Sequence, residues 1–393
     1  MQEVFIVGAA RTPIGKFNGS LKTVSLVDLG KVVMEEALQR AGVAADRVDE
    51  VVMGCVLQAG NDLNPARVSA MRAGLPQEVP ALTINKACGS GMKAVVLAAQ
   101  AIKCDDASII LAGGMENMNQ VPYALLDARS GYRMGNGKVV DLLVNGLTCP
   151  MESVHMGVTA EEVAKRHGIT RDEQDRFAET SYRNAVAAIA EGRFKKEIVP
   201  VPVPQRKGDP ILFDTDEDAV ETSFEALQKL RAAFVKENGT VTAGNASGIN
   251  DGASATVIAG ERAVNELGLT PLARIVAYAS AGLEPLVMGL GPARAIPKAL
   301  EKAGWKYQDV DLWELNEAFA AQSLGVLKEC PEIDPGKVNV NGGAVALGHP
   351  VGASGNRVLT TLIHALAARG LKRGVASLCI GGGMGIAMAV ELA

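Results

Sequence analysis

Three side chains in this chain stand in settings that suit chemistry better than packing. Cys88 lies in Asn85-Lys86-Ala87-Cys88-Gly89-Ser90-Gly91, Cys379 opens Cys379-Ile380-Gly381-Gly382-Gly383-Met384-Gly385, and His349 closes Gly342-Gly343-Ala344-Val345-Ala346-Leu347-Gly348-His349-Pro350. Glycine lets a backbone approach a ligand and leaves its N–H groups free to donate. Two thiols and an imidazole presented in such loops point to covalent acyl chemistry coupled to a proton transfer. Cys88 precedes an apolar stretch, Met92 to Ile102, with helical spacing. A thiol at a helix N-terminus is expected to have a lowered pKa, although a free cysteine without such neighbours reads as a small core residue. Cys379 ends an apolar strand, and the glycine N–H groups after it, that of Gly381 among them, suit an anion hole. His349 reads as a general base or oxyanion donor. The other histidines are His155, His167 and His364, and without a His or carboxylate cluster a metal site is not expected. Asn316-Glu317-Ala318-Phe319-Ala320 follows the apolar strand Leu312–Leu315, where ligands approach parallel sheets; Asn316 also suits a helix N-cap. Gly8-Ala9-Ala10-Arg11-Thr12-Pro13 lacks the spacing of a dinucleotide loop.

The elements that position these loops repeat. Ala37-Leu38-Gln39-Arg40-Ala41-Gly42 with Val48-Asp49 is echoed by Ala299-Leu300-Glu301-Lys302-Ala303-Gly304 with Val310-Asp311. Gly89-Ser90-Gly91 is echoed by Ala353-Ser354-Gly355, and Gly113-Gly114 by Gly381-Gly382. The same order of pieces implies two copies of one folding unit. The first copy reads as a strand Glu3–Val7, a helix capped by Ser25 and ended by Gly42, a strand Val51–Met53, a helix 92–102 and a strand Ser108–Ala112. The second reads as a strand Arg274–Ala277, a helix Ala293–Ala303, a strand Leu312–Leu315, a helix Arg357–Ala368, and strands Val375–Ile380 and Gly385–Glu391. Such alternation implies an α/β fold with sheets covered by helices. Residues 118–250 break the repeat. This insertion carries two capping-box patterns, Thr159-x-x-Glu162 and Thr170-x-x-Glu173, and a Pro- and charge-rich stretch, Pro200–Glu221, expected at the surface.

Composition excludes several classes. At 393 residues, two or three domains are expected. A net charge of −5 argues against nucleic-acid binding. Six cysteines without a CxxC pair argue against structural zinc and fit a reducing, cytoplasmic setting. Met1-Gln2-Glu3-Val4-Phe5-Ile6-Val7-Gly8 reads as a first strand, not a signal peptide. No run reaches the roughly 18 apolar residues of a membrane span.

Taken jointly, Asn85–Gly91, Asn316–Ala320, Asn341–Gly355 and Cys379–Gly385 resemble the motifs of the thiolases over essentially the whole chain. The Cys-Gly-Ser-Gly form and His155-Met156-Gly157 are similar to the biosynthetic branch, the acetyl-CoA acetyltransferases. The resemblance implies two βαβαβαββ halves in a five-layer αβαβα core, residues 1–117 plus 251–268 and residues 269–393, with 118–250 as a loop domain for CoA binding and tetramerisation. It implies reversible Claisen condensation of two acetyl-CoA to acetoacetyl-CoA and CoA, with CoA as substrate and product and no separate cofactor. Cys88 is then the acylated nucleophile, His349 takes its proton, and Cys379 is the acid/base at the second acetyl-CoA. Asn316 holds a water in one oxyanion hole, and the N–H groups of Cys88 and Gly381 form the other. Leu147, His155, Met156, Ala243, Ser247, Met288, Ala318 and Phe319 map to the pantetheine channel or acyl pocket. A homotetramer is implied. One departure stands out: no Arg occurs between Pro210 and Arg231, and Asp214–Glu221 is acidic, where relatives place an Arg near the CoA nucleotide. Three alternatives remain: a longer-chain 3-ketoacyl-CoA thiolase, a cysteine hydrolase of acyl thioesters with little need for Cys379, and a CoA-binding protein without catalysis.

Overall fold

The repeated pattern folds into two copies of one motif in the computed structural model, which describes residues 2–393. The first copy runs β1 (Val4–Arg11), α1 (Leu26–Ala41), β2 (Glu50–Gly54), α2 (Pro65–Arg72), β3 (Ala81–Ile84), α3 (Ser90–Lys103), β4 (Ile109–Asn117) and, after the insertion, β5 (Asn250–Gly260). The insertion contributes two long helices, α4 (Met156–His167) and α5 (Arg171–Ala190). The second copy runs β6 (Ala273–Gly282), α6 (Gly291–Ala303), β7 (Leu312–Leu315), α7 (Ala320–Glu329), α8 (Val351–Arg369), β8 (Arg373–Ile380) and β9 (Met384–Leu392).

The strand order is β3-β2-β4-β5-β1 in the first copy and β7-β8-β9-β6 in the second, and the two join where β1 meets β6 antiparallel. The place equivalent to β3 is taken in the second copy by Val338, which makes a single parallel bridge to Trp313. Helices α1 and α2 cover one outer face around Leu29, Val33, Val51 and Met53. Helices α3 and α8 fill the middle with Met92, Val95, Ile102, Val358 and Leu362. Helices α6 and α7 cover the other outer face around Ile296, Trp313 and Val326. The repeated Val-Asp plays the same part in each copy. Asp49 Oδ2 accepts the N–H groups of Ser108 and Ile109, and Asp311 Oδ2 those of Lys372 and Arg373, docking strand to strand.

The repeated small-residue triplets set the central helix crossing. A Cβ at Gly91 would lie 2.8 Å from Asn356 N, and one at Gly355 would lie 2.4 Å from Met92 N. Each helix N-terminus thus approaches the other's backbone, and the loops leading into them, with Cys88 and His349, come together.

Local signals agree in part. Ser25 caps α1 by accepting from Asp28 N at 3.2 Å, and Gly42 ends it at φ 64°. Thr170 and Glu173 form a capping box on α5. The Thr159 box is absent: α4 starts a turn earlier, where His155 Nδ1 accepts from Gly157 N at 3.1 Å. Thr159 instead donates to Met156 O, and Glu162 pairs with Arg166. Asn316 does not cap a helix either, because α7 begins at Ala320 after Phe319. The stretch Pro200–Glu221 is mostly exposed, but Asp216 turns inward. It binds the fully buried Arg11 at 2.7 and 2.9 Å, with Glu197 at 2.6 Å on the same guanidinium; a buried cation needs such counter-charges.

Candidate active site

The β3–α3 loop of the first copy and the β7 and β8–β9 ends of the second converge on one cavity of about 370 Å³. Cys88, His349 and Gly381 line it, together with Leu147, His155, Met156, Ala243, Ser247, Met288, Ala318 and Phe319. Two of the sequence-predicted residues do not reach its wall: Cys379 and Asn316 lie just behind it, each 1% exposed.

Cys88 stands one residue before the N-cap of α3. Ala87 before it adopts φ 43°, a left-handed backbone unusual for alanine. Ser90 holds this turn, accepting from Lys86 N at 2.8 Å and donating to Ala87 O at 2.7 Å. The expected lowering of the Cys88 pKa is not found. Enclosure pushes the thiol up, and the charge of Glu116 adds to this; the N–H groups of Gly381 and of Cys88 itself, directed at the sulfur, oppose it. Desolvation outweighs the helix end. Cys88 therefore rests as a thiol and needs a base.

The candidate named from the sequence, His349, lines the same cavity. His349 is buried, and burial together with the Arg357 charge lowers its pKa to about 3, so the ring is neutral. Its Nδ1 lies 2.6 Å from Ser354 Oγ, and its Nε2 lies 3.4 Å from Asn316 Nδ2. Asn250 Oδ1 accepts the His349 backbone N–H at 2.9 Å and fixes the loop. The Cys379 thiol is held well above the ordinary value by burial and by the neighbouring Cys88 sulfur. The β8–β9 hairpin turns behind it through Gly382 and Gly383, at φ 88° and 83°, a conformation that glycine adopts without strain.

The cavity is mostly apolar. His155 stacks on Phe234 with centroids 4.8 Å apart, and Phe234 meets Phe319 edge-on at 6.1 Å. A Cβ at Gly381 would lie 2.9 Å from Met156 Cε, so Met156 stands directly over the Gly381 backbone. The acidic segment has structural duties: Asp216 binds Arg11, Glu217 accepts from Lys16 N and Ser20 N, and Asp218 accepts from Asn250 Nδ2.

Several residues escaped the sequence reading. Buried Glu116 accepts from Val56 N, Leu57 N and Gly352 N at 2.8 to 3.0 Å, tying the wall beside Cys88 to the start of α8. Its place at the end of the apolar strand Ile109–Asn117 is the same signal that drew notice to Asn316-Glu317. Ser354 was visible only as part of the repeat. Phe234 and Arg357 carry no local signal. Among the described residues, no group of three or more His, Cys, Asp or Glu is arranged to hold a metal ion.

Comparison with known proteins agrees with this arrangement. Residues 4–262 match the family model "Thiolase, N-terminal domain", and residues 269–392 match "Thiolase, C-terminal domain". A protein of Cupriavidus necator named acetyl-CoA acetyltransferase is 56% identical over 393 residues, covering 100% of both chains. One of the same name from Pseudomonas aeruginosa is 54% identical over 390 residues, covering 99% of each. The crystal structure of the Bacillus anthracis acetyl-CoA acetyltransferase superposes with a TM-score of 0.98 at 45% identity, covering 100% of this chain and 99% of that one.

Proposed function

This chain belongs to the thiolase family, and from that membership we propose that it is an acetyl-CoA C-acetyltransferase joining two acetyl-CoA into acetoacetyl-CoA and CoA, reversibly. The observation that carries this reading is the meeting of Cys88, neutral His349 and the Gly381 N–H on one apolar cavity, with the Cys379 thiol directly behind.

The Cys88 proton passes to His349 Nε2, and the sulfur attacks the thioester carbonyl. The oxyanion is held by preorganised donors. The CoA sulfur leaves with the proton from His349, and the acetyl group stays on Cys88 as a thioester. Cys379 then loses its thiol proton to solvent and takes a methyl proton from a second acetyl-CoA. The resulting carbanion attacks acetyl-Cys88, its C–S bond breaks, and acetoacetyl-CoA forms as Cys88 takes the proton that Cys379 received, leaving Cys379 to recover one from solvent. One donor set is assigned to the N–H groups of Cys88 and Gly381, which meet at the Cys88 sulfur. The other is assigned to His349 with a water held by Asn316.

The eight wall residues from Leu147 to Phe319 are assigned to pantetheine and acyl contacts. Met156 over Gly381 closes the space beside the reacting thiol and favours a two-carbon acyl group over the longer-chain alternative. Residues 1–117 with 251–268, residues 118–250 and residues 269–393 are assigned as N-terminal half, loop domain and C-terminal half. Exposed Leu126, Tyr132, Met134 and Val139 give the loop domain an apolar surface suited to a homotetramer. A cytoplasmic location suits free thiols at the site; no helix among the described residues is long and apolar enough to cross a membrane.

The test is acetyl transfer from labelled acetyl-CoA. Wild-type protein is expected to carry the label on Cys88, and Cys88→Ser to carry none and to lose turnover. Label on another cysteine, or CoA release without a need for an acceptor, would favour a different nucleophile or the hydrolase reading. Faster thiolysis of 3-ketohexadecanoyl-CoA than of acetoacetyl-CoA would favour the longer-chain enzyme.

A further inference from the structure

We propose that Arg357 is a positioning residue for the acyl-transfer step: it turns the Asn316 carboxamide so that its NH2 group faces His349 Nε2, which therefore carries a lone pair and no hydrogen and takes the Cys88 proton as the amide gives way. This inference rests on the acyltransferase reading above. Arg357 lies on α8, is 1% exposed, and places Nη2 3.4 Å from Asn316 Oδ1. A guanidinium has donors only, so it fixes which end of the amide it meets. The Asn316 nitrogen is then the end 3.4 Å from His349 Nε2, and an N–H donor there requires an unprotonated ring nitrogen. The other side of the ring gives the same answer. Ser354 has one hydroxyl hydrogen, donated to Pro350 O at 2.9 Å, so the 2.6 Å contact with Nδ1 draws its hydrogen from the ring. Both neighbours select the Nδ1–H tautomer.

Arg357 is also a poor contributor to stability. Its Nε and Nη1 meet no hydrogen-bond acceptor among the described residues, and its carboxyl neighbour Glu314 stands 3.8 Å away with Oε2 likewise unpartnered. A buried cation in such loose geometry costs more than it returns. Arg11 shows the contrast, with three carboxylate contacts of 2.6 to 2.9 Å. The contact that gives Arg357 a purpose is the one to Asn316. Its positive charge further disfavours a second one on His349.

The experiment is a double-mutant cycle on acetoacetyl-CoA thiolysis with Arg357→Met, Asn316→Ala and the pair. Arg357→Met is expected to lower kcat by roughly tenfold to a hundredfold, less than the roughly hundredfold to thousandfold cost of removing an oxyanion-hole donor outright, with KM changed by less than about threefold. In the Asn316→Ala background the same change is expected to lower kcat by no more than about twofold, because residues acting through one another are non-additive. Independent, multiplying losses would overturn the proposal, as would wild-type kcat in folded Arg357→Met. If circular dichroism shows Arg357→Met unfolded, Arg357→Lys takes its place in the same cycle with the same criterion. Labelling of Cys88 by acetyl-CoA in the wild type separates the two layers. Its absence overturns the acyltransferase reading, whereas intact labelling with additive losses overturns only the role of Arg357.

Discussion

Cys88 and Cys379 are near neighbours with different access to the cavity, and the proposed mechanism gives them different work. Cys88 opens onto the cavity beside a neutral imidazole; Cys379 is buried behind it, with its pKa held up by the first sulfur. Once Cys88 is acylated it can no longer ionise, so a Cys379 thiolate would meet no like charge from that sulfur. Cys379→Ser is expected to form acetyl-enzyme at a rate within about threefold of wild type, yet to lose at least about a hundredfold in exchange of acetyl-CoA methyl protons with solvent deuterium, the scale of a lost general base. Methyl exchange at the wild-type rate, followed by NMR, would remove Cys379 from the carbon chemistry. Cys88 is also where sequence reasoning misjudged the balance. The helix N-terminus was legible, but the enclosure that outweighs it is assembled from distant residues, Glu116 among them.

At the scale of elements, the duplication was legible because repeated residues do the same job in each copy. The Val-Asp pairs dock strands, and the Gly-Ser-Gly and Ala-Ser-Gly triplets bring α3 and α8 together. What stayed hidden was conditional on tertiary packing. His155 displaces Thr159 as the cap of α4, and Asp216 leaves a charged surface stretch to satisfy Arg11. Neither outcome is written in local spacing. The helix crossing offers a direct check. A Cβ at Gly91 would meet backbone atoms, Asn356 N at 2.8 Å and the oxygens of Ala353 and Gly352 at 3.1 Å, which cannot rotate aside. Gly91→Ala is expected to destabilise the fold by about 1–3 kcal/mol despite the better helix propensity of alanine, and to lower kcat by separating Cys88 from His349. Urea unfolding gives the first quantity. A more stable Gly91→Ala protein would show that the crossing yields easily.

For the whole molecule, buried carboxyls set how stability follows pH. Burial raises Glu116 from 4.5 to about 7 and Glu314 to about 8. The folded chain therefore holds protons that the unfolded chain has released above pH 4.5, and stability falls as pH rises through 7 and 8. His349 acts in the opposite direction: lowered to about 3, it stays neutral while the unfolded ring protonates below 6.5, so stability is lost as pH falls through that window. The sum places the optimum on the acid side of neutrality. Between pH 6 and pH 8 the loss is on the order of 3 kcal/mol, since each extra proton held by the folded chain costs about 1.4 kcal/mol for every tenfold fall in proton concentration. Thermal unfolding at the two pH values checks this; Glu314→Gln should flatten the decline, and an equally steep decline in that variant would relieve Glu314 of the role.

The sheet order bears on how the chain leaves the ribosome. Strand β1 is made almost first, but its partners are β5, beginning at Asn250, and β6, beginning at Ala273. At roughly 5–20 residues per second of synthesis, β1 waits for on the order of ten seconds or more with neither edge paired. For that interval Val4-Phe5-Ile6-Val7 is an apolar segment with open hydrogen-bonding edges, available to a chaperone or to another nascent copy. A chain interrupted within the insertion would keep this first strand without the partners that enclose it.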